Sequence, residues 1–170
     1  GIQYLSLFEL KYLEISYTYA SILNVILALV NACCGLLWAK IYNKRGWKSI
    51  IMPMLIAYIF MFILLSNMTM SIKFILPIIF TLYGIGESAY GLFDHNVIYE
   101  SAQDKYKTVY LSVNKTVCGI ISILVPILTS LIMTDENNAN NIKIIFSLTV
   151  VLFVVTTIYY KCNLSNSKNK

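Results

Sequence analysis

Charge is scarce in this sequence. Aspartate, glutamate, lysine and arginine make up 12% of its 170 residues, about half the share usual in a soluble domain. Hydrophobic residues make up 58%, and the uncharged stretches are long: 17–39, 49–72, 74–86, 116–134 and 144–160. A helix needs about 20 such residues to cross a bilayer core of ~30 Å. A soluble fold would have to bury all of them in one core, which a chain of this length cannot enclose. Scarcity of charge thus excludes a soluble domain and points to an all-α integral membrane protein.

Other absences narrow the chemistry. There is one histidine, His95, and Cys33, Cys34, Cys118 and Cys162 show no metal-ligand spacing. No metal site is therefore expected, and the cysteines read as small buried hydrophobes. Neither a phosphate-binding glycine loop nor a plausible catalytic triad is visible, so no enzymatic activity and no cofactor are expected. No stretch has the basic start, short apolar run and small-residue cleavage site of a signal peptide. The first residue is Gly1 rather than Met, which fits a piece of a longer protein.

What is present is a set of five predicted transmembrane helices, 17–41, 49–67, 73–99, 108–133 and 142–161, followed by a polar tail, 162–170. The net charge of +5 is carried beside these spans, so topology accounts for it and nucleic acid is not an expected partner. Nine basic residues fall on the side of the first loop, the third loop and the tail. Three, Lys11, Lys73 and Lys143, fall on the other side, and Lys115 lies within the fourth span. Positive charge marks the cytoplasmic face. The chain is therefore expected in the cell membrane with its amino end outside and its carboxy end inside.

The spans differ in kind. The second and fifth are apolar on nearly every side, as lipid-facing helices are. The first carries a stripe of small and polar residues, Ser21, Asn24, Ala28, Asn31 and Gly35, which share one helical face. Such a face either packs closely against another helix or contacts a solute. The fourth has a weaker stripe in Lys115, Cys118, Gly119, Ser122, Pro126 and Ser130. The third, with Gly84, Gly86, Gly91, Glu87 and Asp94, is the most polar. This grading suits helices arranged around an aqueous pathway.

The loop AKIYNKRGWKSI, between the first two spans, resembles the short cytoplasmic motif of the major facilitator superfamily, roughly G-x-L-x-D-R-x-G-R-R/K. Ile41, Lys44, Gly46 and Lys48 occupy matching positions, with Arg45 beside them. Ala39 replaces the first glycine, Asn43 the aspartate and Trp47 an arginine, which puts the family's charge-based latch in doubt here. The loop YESAQDKYKTVYLS is similar to the family's loop after the tenth helix. Ala102 stands there for the usual proline, and Lys105 or Lys107 for the arginine. The resemblance implies the carboxy-terminal half of a twelve-helix transporter, with helices eight to twelve and the end of the seventh. It implies secondary active transport of a small solute by alternating access between two halves, the amino-terminal half being absent from this chain. The 170-residue chain is not expected to transport alone. The competing reading is a stand-alone five-span protein with a structural or assembly role in a membrane complex.

An ionisable residue at bilayer depth costs at least ~2.5–3.5 kcal/mol, so it usually meets a partner or water. With Lys73 at the outer boundary, Glu87 lies about 21 Å deeper, past the midplane, and Asp94 about 31 Å deeper, at the inner surface. Lys115 is expected about 10 Å inside from the other end, where a pair with Glu87 would lessen the burden of both charges. Glu87, Asn24, Asn31, Lys115 and Tyr83 are the candidate residues of a solute or coupling-proton pathway. Asp94, His95 and Asn96 are candidates for a cytoplasmic gate or for ordering the helix end.

Overall fold

The computed structural model describes residues 2–132 and 139–166. All regular elements among them are helical. A segment of short helical turns, 2–12, precedes five long helices: α1, Tyr17–Arg45; α2, Lys48–Ser66; α3, Leu76–Ser101; α4, Lys107–Ile132; and α5, Ala139–Asn166. Each has the length and apolarity to cross a membrane. The expected all-α, five-span architecture is what the chain adopts. The end of the fourth predicted span at 133, the last four residues of the tail, and Gly1 lie outside the described residues.

Local chemistry sets the helix ends. Ser16 caps α1, its hydroxyl accepting the Tyr19 N–H at 3.2 Å. α1 stops at Gly46, which takes φ +72° and donates its N–H to Tyr42 O at 2.7 Å. A side chain is strained in that left-handed region, so glycine ends the helix at little cost. Ser49 then donates to Gly46 O at 2.8 Å, starting α2 within three residues. α3 carries Pro77 in its first turn, where the missing N–H leaves no helical bond unmade.

The helices lie in the order α1, α3, α2, α5, with the most extensive contacts between α1 and α3, α2 and α3, and α2 and α5. In lipid there is little hydrophobic gain from bringing apolar helices together, so close approach decides. Gly84 and Gly86 provide it on opposite sides of α3. A Cβ on Gly84 would lie 2.9 Å from Val30 Cγ1 and 3.0 Å from Leu27 O of α1. A Cβ on Gly86 would lie 3.0 Å from the Tyr58 ring of α2. Trp38 adds a bond from its indole N–H to Ile85 O at 3.2 Å.

Two sequence readings are corrected here. α2 is not lipid-facing on every side: one face forms the core of the bundle, while Ile56, Phe60 and Ile63 are exposed. Ile50, Met61, Phe62 and Leu65 are fully buried between α3 and α5. A helix apolar on every side suits a protein core as well as lipid, so composition does not separate the two. The small-residue stripe of α1 is also not the face that it packs on α3. Ser21, Asn24 and Ala28 are exposed, and the face toward α3 runs through Leu27, Val30 and Trp38. α4 stands apart. Along its membrane-length window none of it is buried, and its contacts with α3 are few, the Asp94–Lys115 pair among them.

Candidate functional site

α3 carries four ionisable side chains on one face: Tyr83, Glu87, Tyr90 and Asp94, spaced by four, three and four residues. Glu87 is half-buried, and Oε2 accepts a hydrogen bond of 3.0 Å from the hydroxyl of Tyr58. Tyr58 is only 5% exposed. Its ring rests on Phe153 of α5, with centroids 5.3 Å apart and planes 16° from parallel. The absent side chain of Gly86 lets that ring come against α3. Phe62 continues the stack, 5.9 Å from both Phe153 and Phe146. Glu87 is thus held by one neutral donor fixed in an aromatic wall, and no cation pairs with it among the described residues.

Lys115 pairs with Asp94, through Nζ and Oδ2, and not with Glu87 as the depth argument predicts. The reason lies in the antiparallel turn. Asp94 is seven residues before the end of α3 at Ser101, and Lys115 is eight residues after the start of α4 at Lys107. The two are therefore level. Glu87 lies seven residues, about 10 Å, farther along α3. Asp94 is mostly covered while Lys115 is about half-exposed, so the pair sits at the edge of the bundle. Asn96 is half-buried. His95 lies in α3, but its side chain is outside the described residues. Beside the pair, between the end of α3 and the start of α4, is an open cleft of about 760 Å³ with Val97, Gln103, Tyr106, Tyr110 and Asn114 on its walls.

Asn24 and Asn31 are not brought to Glu87 by any hydrogen bond among the described residues. Asn24 is exposed and donates to Ala20 O of its own helix at 3.1 Å. Asn31 is half-buried. Of the motif residues, Asn43, Lys44 and Arg45 form the last turn of α1 and Lys48 opens α2, all four exposed, and Gly46 serves the turn. The residue that anchors this turn is Trp47. Its ring lies 6.1 Å from Phe93 of α3 and 6.3 Å from Tyr160 of α5, with Lys48 Nζ 5.7 Å above it. Beside it, Tyr42 donates to Glu100, joining the carboxy-terminal ends of α1 and α3.

Sequence reasoning missed Tyr58, Tyr90 and Glu9. Tyr90 was readable, standing three residues after Glu87 on the same face. Tyr58 sits in a span whose composition points to lipid, and no local pattern aims it at Glu87. Glu9 lies in segment 2–12, is 4% exposed, and its Oε1 has no hydrogen-bond partner among the described residues. Groups of three or more His, Cys, Asp or Glu side chains able to hold a metal are absent among the described residues.

Comparison with protein families, with characterised proteins and with solved structures finds no match for this chain. What the structure defines is therefore a class: a multi-pass, all-α membrane protein of five apolar helices.

Proposed function

We propose that this chain is the carboxy-terminal half of a secondary active transporter of the major facilitator type, moving a small solute across the cell membrane. In this reading the amino end lies outside, the carboxy end is cytoplasmic, and a second, amino-terminal half completes the cavity. The observation that carries it is Glu87. Its carboxylate lies mid-helix with a single neutral donor, Tyr58 at 3.0 Å. A charge so placed is expensive in a bilayer unless it faces water or a ligand. The uncovered polar face of α1 supports the same reading, since a second bundle would meet it.

Glu87 then binds a cationic group of the solute or exchanges a coupling proton, with Tyr58 fixing its rotamer. Tyr83 and Tyr90 flank it on the same face, and the Asp94–Lys115 pair lies toward the cytoplasmic end. Trp47 holds the inner loop by aromatic contact where the family motif would use charge.

The test is flux in proteoliposomes made with the full-length gene product and an internal pH-sensitive dye, against panels of sugars, amino acids and organic cations. One class is expected to drive proton movement, and Glu87→Gln to abolish it while the protein remains folded. Unchanged proton-driven uptake by Glu87→Gln would sink the coupling role. No flux for any class, with correctly inserted protein, would overturn transport and favour a structural role.

A further inference from the structure

Segment 2–12 and the short link from it to α1 carry three unusual features within six residues of one another. The first is Glu9, buried with Oε1 unpartnered among the described residues. The second is the winding around it. Phe8–Tyr12 is π-helical, with Leu13 N–H donating to Phe8 O at 3.0 Å and Ile15 N–H to Glu9 O at 3.3 Å. Such wide turns are rare and recur at functional positions. The third is Glu14, the non-glycine residue with positive φ among those described, at +49°. That conformation costs roughly 1–2 kcal/mol for a residue with a side chain. It lies between the segment and the Ser16 cap of α1.

The segment docks through apolar contacts. Phe8 is fully buried and meets the Phe146 ring of α5 edge-on, with centroids 5.4 Å apart. Leu5 and Leu13 are buried beside it. Glu9 is carried into this packing as well. On the segment and its hinge the other titratable groups are Tyr4, Lys11, Tyr12 and Glu14. α5 brings Lys143, the turn before α3 brings Lys73, and α4 brings only the neutral Thr129, bonded to Tyr4. Asp135 and Glu136 lie outside the described residues. Burial pushes the Glu9 carboxyl from 4.5 up to about 7.

We propose that segment 2–12 is a proton-operated latch: with Glu9 protonated it docks on α5, and loss of that proton releases it about a hinge at Glu14. The docked form holds the proton more tightly, so docking is strongest below pH 4.5 and weakens as pH rises toward 7. Above about 7 it is weakened by a constant factor. The gap between 4.5 and about 7 corresponds to roughly a 300-fold change in the docking equilibrium, tenfold per pH unit. Release also relieves the strain at Glu14. This inference does not rest on the transport reading.

The test is amide hydrogen exchange by mass spectrometry on peptides spanning 5–15, comparing the full-length protein with its Glu9→Gln variant in nanodiscs. Taking the ratio at each pH cancels the intrinsic exchange chemistry. The two are expected to exchange alike at pH 4.5, and the wild type to become up to about 300-fold faster by pH 8. A ratio that stays constant from pH 4.5 to 8 overturns the latch. Should Glu9→Gln not fold, ¹³C NMR of the Glu9 carboxyl in the wild type decides. Titration near 7, with exchange of 5–15 rising in step, supports the proposal, and titration in the ordinary glutamate range overturns it.

Discussion

Gly84 and Gly91 are seven residues apart on α3, on the same helical face, yet a side chain at each meets different surroundings. At Gly84 an added Cβ would lie 2.9 Å from Val30 Cγ1 and 3.0 Å from Leu27 O. Carbon atoms pack best at about 3.5–4.0 Å, and a backbone oxygen cannot step aside. At Gly91 nothing lies within 4 Å. Alanine in place of glycine inside a helix gains roughly 0.5–1 kcal/mol from the backbone alone. That gain is common to both positions, so the difference between Gly84→Ala and Gly91→Ala isolates the steric cost. Overpacking costs about 1–3 kcal/mol, which sets the expected gap. Gly91→Ala should be neutral or slightly stabilising and Gly84→Ala destabilising. The assay is unfolding in mixed micelles of rising SDS fraction, followed by tryptophan fluorescence. Trp38 donates to Ile85 O at this same contact, so its emission, read in a Trp47→Phe background, reports separation of α1 from α3. Equal midpoints for the two variants would refute the claim that α1 and α3 are held by close approach at Gly84.

Three further outcomes are expected. Tyr58→Phe removes the donor to Glu87 and should cost about 1 kcal/mol, typical of a hydrogen bond within a membrane bundle; the same change in a Glu87→Gln background should cost less, read by a double-mutant cycle of SDS unfolding. Lys115→Ala should lower the yield of folded protein by leaving Asp94 unpaired at the bundle edge, and Asp94→Asn added to it should restore that yield, measured by size-exclusion recovery from membranes. Trp47→Ala should loosen the turn between α1 and α2 by losing its contacts to Phe93 and Tyr160, each worth roughly 0.5–1.5 kcal/mol; faster tryptic cleavage after Arg45 is the readout, and an unchanged rate would deny Trp47 its anchoring part.

The helices were legible in the sequence because the bilayer demands length and apolarity, and both are local. All five spans lie where uncharged runs predict them. Which helix packs on which was less legible. The second span is apolar on all sides, and that pattern fits either lipid or a core. Its burial follows from Gly84 and Gly86, which open α3 to neighbours on both sides, and the glycines read locally only as weak points in a helix. The Asp94–Lys115 pairing was within reach. Counting residues from the turn between α3 and α4 places the two level, whereas counting depth from the outer boundary placed Asp94 at the surface. Glu9 gave no sequence signal. A lone glutamate ahead of the first span reads as solvated, and only tertiary packing of 2–12 on α5 buries it.

Asp94, Glu9 and Glu87 meet apolar surroundings in different ways. Asp94 takes a lysine, the arrangement that neutralises charge outright. Glu9 has burial without a hydrogen-bonding partner for Oε1 among the described residues, and holds a proton up to about pH 7 instead. Glu87 has a neutral hydroxyl, which orients the carboxylate without cancelling its charge. A helix bundle built only to persist gains nothing from the second and third solutions, since leucine or glutamine would serve at less cost. An ion pair resists change of state, because breaking it leaves two charges unmet. A lone carboxyl held by one hydroxyl changes partner or proton with the least rearrangement. Along α3 the fixed pair lies nearer the turn to α4, and Glu87 lies about 10 Å farther along the helix, where the Tyr58 hydroxyl holds it.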